Sequence, residues 1–127
     1  MGKIKKFEEL QGWQKARELS KSIYNITRNS ELSKDFALRN QLRRSSISIM
    51  SNIAEGFARR TDKEFVNFLG MAHGSVAELQ SQLYIAMDQQ YITNEQFHAN
   101  YSLAEETSKL IQGFANYLNY KKEAHDS

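Results

Sequence analysis

The residues best suited to chemistry in this 127-residue chain are arginines. Arg43-Arg44 and Arg59-Arg60 bracket the stretch Gln41–Arg60, 16 residues apart and so roughly 24 Å along a helix axis. With Arg39 and Lys63 they form a set of six cations around one segment. Guanidinium groups recognise phosphate by paired hydrogen bonds as well as by charge, so the chemistry on offer is polyanion binding. Neither the spacing of a groove-reading motif nor aromatic interleaving accompanies them, and any nucleic-acid binding is expected to be weakly specific and salt-sensitive.

Other reactive groups fit a plainer reading. A di-iron bundle needs Glu-x-x-His on two helices plus two further glutamates, and the chain holds one such tetrapeptide, Glu95-Gln96-Phe97-His98, placed to open a helix. No metal site and no cofactor are expected. His73, Ser75 and Glu78 lie close in sequence, but an unbroken helix ties up the amides an oxyanion site requires, so Gly74 and Ser75 are read as permitting close helix contact. Glu55 has two readings: a semi-buried acid paired with an arginine of another helix or subunit, or a solvated residue. The chain is therefore not expected to be an enzyme.

Long helices must position these groups. Proline and cysteine are absent, which leaves no kinks, disulfides or thiol nucleophiles. Apolar residues recur at Phe7, Leu10, Trp13, Ala16, Leu19, Ile23 and Ile26, the rhythm of an amphipathic helix over about 8–29. A second helix is expected over about 34–59, with Ser33 or Ser30 as its cap. Its apolar positions form two stripes, one of Leu42, Ile49 and Ile53, the other of Ile47, Met50, Ala54 and Phe57, while Ser45, Asn52 and Gly56 lie on an intermediate line of small side chains. Thr61-Asp62-Lys63-Glu64 and Thr93-Asn94-Glu95-Gln96 are capping boxes opening helices over about 62–89 and 94–120. The third helix carries Phe65, Leu69, Ala72, Val76, Leu79, Leu83 and Ala86, and the fourth Phe97, Tyr101, Ala104, Ser108, Ile111, Ala115 and Leu118. Steps of four and three mark near-parallel helix packing. The tail from about Lys121 has no period and is expected to fray.

These elements close as a single-domain, all-α, antiparallel up-and-down four-helix bundle. The second stripe of helix two, with Glu55, exceeds what one core needs, so Ile47, Met50, Ala54, Glu55 and Phe57 are expected at an interface of a homo-oligomer. Charge is lopsided: residues 1–33 carry +3, 34–63 carry +4 and 64–127 carry −5. Either the halves neutralise one another across subunits or the basic half faces a polyanion. With no membrane-length apolar run, a cytoplasmic protein is expected.

The motifs Gln41-Leu42-Arg43-Arg44, Asn52-Ile53-Ala54-Glu55-Gly56 and Gly74-Ser75-Val76-Ala77-Glu78-Leu79, with Phe65 and Phe68-Leu69, give the chain a resemblance to a bacterial family. It is similar to the four-helix bundle proteins encoded in intervening sequences of 23S rRNA genes. Met50 departs from the proline common at that place in the family. The resemblance implies association as a ring-shaped homopentamer. A related branch, the accessory proteins of diversity-generating retroelements, works with a reverse transcriptase and nucleic acid through a basic surface. For this chain the expectation is a non-enzymatic oligomer binding RNA or DNA through that surface; the alternative is a structural or protein-interaction module that binds no nucleic acid.

Overall fold

A computed structural model describes residues 3–29 and 31–126. Four helices run in order, α1 (Gln11–Arg28), α2 (Phe36–Phe57), α3 (Asp62–Asp88) and α4 (Asn94–Asp126), with short 3-10 turns at Phe7–Glu9 and Glu31–Lys34. Consecutive helices pack on one another, and α1 closes the ring against α4. The cross-links run antiparallel: Ser45 meets Gln82 and Ser48 meets Ser75, while Ser22 meets Asn100 and Lys15 meets Glu106. The chain is thus an up-and-down four-helix bundle.

The stripes read from sequence form the core. Ala16, Leu19, Ile23 and Ile26 of α1, Leu42, Ile49 and Ile53 of α2, all seven α3 positions, and Phe97, Ala104, Ile111, Ala115 and Leu118 of α4 are buried. Two polar residues share this interior on α4. Asn100 accepts from the Ser22 hydroxyl at 2.6 Å and donates to the Gln96 carbonyl, and Thr107 donates to the Leu103 carbonyl. Local carbonyls thereby satisfy groups that would otherwise destabilise a dry core.

Helix boundaries depart from expectation in three places. The first apolar residues step by threes, a 3-10 spacing, and the chain is not continuously helical from residue 8: a 3-10 turn ends at an extended Leu10 before α1 begins. Glu9 steadies that turn by accepting from the Lys5 amide at 2.7 Å. The cap of α2 is Asp35 rather than Ser33, its carboxylate accepting from the Leu38 amide at 3.1 Å; Ser30 lies outside the described residues. Finally, α4 continues to Asp126, past the point where loss of period implies fraying. The two threonine caps hold, and at Thr93 the exchange with Gln96 is reciprocal.

Asp35 also accepts from the Tyr91 hydroxyl at 3.0 Å, tying the start of α2 to the turn between α3 and α4. That hydrogen bond, burial and the nearby Asp35 and Glu31 carboxylates raise the Tyr91 phenol above its ordinary 10.0. A group whose folded pKa is raised contributes stability that is full below the unfolded value and lost as pH rises through the folded one. Tyr91→Phe should therefore flatten the fall in stability above about pH 10. Urea denaturation at stepped alkaline pH checks this, and an unchanged alkaline limb would contradict it.

Candidate nucleic-acid interface

Because α1 and α2 are neighbours, as are α3 and α4, the charge asymmetry of the sequence becomes one of sides. The α1–α2 side is basic and the α3–α4 side acidic. Rotation about α2 then sorts the six cations into separate places.

Arg39 and Arg43, four residues apart, face the α1 flank. Arg43 stacks over Tyr24 of α1 at 4.6 Å, and its Nε donates to Thr27 at 2.8 Å. Arg39 lies over Phe36 at 4.7 Å and donates to the Ser33 carbonyl. Arg44 is exposed on the opposite flank, toward α3. Arg59 sits over Phe68 at 4.6 Å and pairs with Glu55 at 3.0 Å, while Arg60 and Lys63 are exposed beside it at the far end of the bundle. Of the six, only Arg43 is tied to α1, where Tyr24 beneath it lines a groove.

That groove lies between α1 and α2, opens to solvent, and has a volume of about 440 Å³. It is lined by Arg17, Ser20, Lys21, Tyr24, Asn25, Arg28 and Met50. The cations of α1 do not stand out beside its apolar stripe, which dominates the pattern of that helix. Their signal is legible: 17, 21, 24 and 28 step by four, three and four, the polar counterpart of the stripe at 16, 19, 23 and 26.

Two sets of contacts order the residues around the groove. Glu18 is drawn to Lys15, which also reaches Glu106 of α4 at 3.3 Å, and these hydrogen bonds hold the Lys15 ammonium above its ordinary pKa. The plane of the Arg43 guanidinium is fixed by Tyr24 and Thr27. Stacked arginines retain N–H edges for phosphate and lose less rotamer freedom on binding.

The residues expected at an oligomer interface divide in a similar way. Met50 and Phe57 are half-buried against their own core, Phe57 meeting the Phe65 ring edge-on at 6.1 Å. The flanks of α1 and α3 cover more of α2 than a single seam would. Ala54 is half-buried, and Ile47 is 47% exposed. Glu55 is exposed and pairs with Arg59 just beyond the end of α2, which within the subunit fits the reading of a solvated residue and not a pairing with another helix.

The small-residue line is explained. A Cβ on Gly56 would stand 2.7 Å from the Phe68 Cβ, so the absent side chain allows α3 to approach. Ser75 fills a similar role, bonding Ser48 at 2.8 Å, but Gly74 meets nothing within 4 Å and makes no close contact. His73, Glu78, Glu95 and His98 are exposed, and among the described residues no three metal-ligating side chains converge.

These features define a charge-polarised antiparallel four-helix protein with an open cationic groove between α1 and α2. Residues 8–113 match the family described as 23S rRNA-intervening sequence protein. The chain belongs to that family. It is similar to a solved structure from Bacteroides thetaiotaomicron, described as a protein with unknown function from the S23 ribosomal protein family. The two are 27% identical with a TM-score of 0.75, over 82% of this chain and 97% of the other. No curated protein matches. Among the described residues, no helix is long and apolar enough to cross a membrane.

Proposed function

We propose that this protein is a non-enzymatic binder of RNA or DNA that holds the phosphate backbone in the α1–α2 groove. The carrying observation is the convergence of Arg17, Lys21 and Arg28 on one opening flanked by the anchored Arg43. Several cations on one groove release counterions together, which gives sequence-tolerant affinity. No base-reading pair accompanies them, so the contacts position the nucleic acid without specifying it. Fluorescence anisotropy with labelled RNA and DNA oligonucleotides at low and moderate salt tests this. Binding at low salt that falls steeply with added salt is the expected result; none at low salt would favour the interaction module.

Self-association is part of the same proposal. A bundle with a basic side and an acidic side offers complementary surfaces to its own copies, and head-to-tail contacts of that kind close into rings. A homopentamer of cytoplasmic location is the assembly expected from the family resemblance. Exposed Ile47 stands at the outer edge of α2, where a neighbouring subunit would cover it. Multi-angle light scattering should give an oligomer that dissociates with salt, whereas a monomer at micromolar concentration contradicts the assembly.

A further inference from the structure

A second cavity, remote from the cationic groove, lies at the end of the bundle where the N-terminal segment crosses α4. Its volume is about 390 Å³, within the range of small-molecule sites. Ile4, Leu10, Leu110, Phe114 and Tyr117 form its walls, and it reaches down to Ile53 and Leu69, which are each 2% exposed. Water in such a space finds few hydrogen-bond partners, so an apolar occupant is favoured over solvent. Polar side-chain groups in the lining are those of Glu9, Gln11, Lys109 and the Tyr117 hydroxyl. The Glu9 carboxylate is engaged by the Lys5 and Lys6 amides, whereas Lys109 is exposed and has no ion pair among the described residues.

The occupant must therefore be narrow enough to reach the core, apolar along its length and anionic at its outer end. The broad face of a second bundle cannot enter to the depth of Ile53. We propose that this cavity binds a medium-chain carboxylate, its alkyl chain laid between Phe114 and the Ile53–Leu69 floor and its carboxylate at Lys109. The space exists partly because Gly113 lines it without a side chain: a Cβ there would meet nothing within 4 Å.

Isothermal titration of the full chain with decanoate, below its critical micelle concentration, tests the site, with decanol as the uncharged comparator. Saturable decanoate binding is expected, with decanol about fivefold weaker, the effect of one exposed charge contact. Lys109→Met should weaken decanoate by a similar factor and leave decanol unchanged. Gly113→Leu should fill the space and abolish both, while its melting temperature holds or rises because an exposed helical glycine is replaced. Absence of saturable binding, decanoate binding indifferent to Gly113→Leu, or equal affinities for decanoate and decanol would each overturn the proposal.

Discussion

Replacing Arg17, Lys21 and Arg28 together with alanine should lower affinity for a labelled RNA by about 30- to 100-fold at ~0.1 M salt. These three side chains line one groove and are exposed, so none supports the core. Truncating them removes charge and leaves the fold intact, and the melting temperature should change little. The slope of log affinity against log salt should flatten by roughly two to three, since each lost phosphate contact takes about one unit or slightly less with it. Arg59→Ala with Arg60→Ala makes the matched comparison. That pair lies at the other end of α2, with Arg59 already engaged by Glu55 and Phe68. Its effect should be several-fold at most, as expected for a screened peripheral charge. Equal losses from both variants would place the phosphate path elsewhere.

The second large effect is on stability. Gly56→Leu should destabilise the protein by about 3 kcal/mol, the upper part of the usual range for overpacking a well-filled core. Alanine at an exposed helical position gains up to ~1 kcal/mol over glycine, so propensity alone would stabilise. Sterics win at Gly56, because the 2.7 Å contact is with the Cβ of Phe68, which is attached to backbone and cannot swing away, and Phe65 stands at 2.9 Å. Gly74→Ala supplies the contrast. It sits on α3 with nothing near its missing side chain and should stabilise by roughly 0.5–1 kcal/mol. Chemical denaturation of the two variants separates packing from propensity. Similar outcomes for both would contradict the close α2–α3 approach.

Most of the bundle was legible because each helix buries a stripe advancing by threes and fours, and a stripe is local information. Leu69, Val76, Leu83 and Ile111 are buried for that reason. Asn100 and Thr107 were not legible: a polar side chain in a buried register reads as surface until the carbonyl that satisfies it is known. The cap of α2 is ambiguous in sequence for a related reason, since Ser33 and Asp35 are both good caps by type. Asp35 has in addition Tyr91, 56 residues away, to fix it. How α2 divides its apolar arc depends on how far α1 and α3 wrap around it. Met50 and Phe57, which a linear reading assigns to a neighbouring subunit, are also half-buried against their own core.

The candidate site shows the same limit. The arginines of α2 attract notice as pairs, but adjacent residues on a helix point about 100° apart, so Arg43 joins α1 while Arg44 turns away. What collects charge is the contact between two helices. The cations of α1 supply the larger share of it, and their spacing was present in the sequence as the complement of the buried stripe.

The most direct test of the account is to map the nucleic-acid footprint by amide chemical-shift perturbation on titrating a short RNA at low salt. The predicted result is a contiguous set of shifted amides from Arg17 to Arg28 on α1 and from Arg39 to Met50 on α2, with the α3–α4 side silent. Shifts confined to the Arg59–Lys63 end, or none anywhere at saturating RNA, would contradict it.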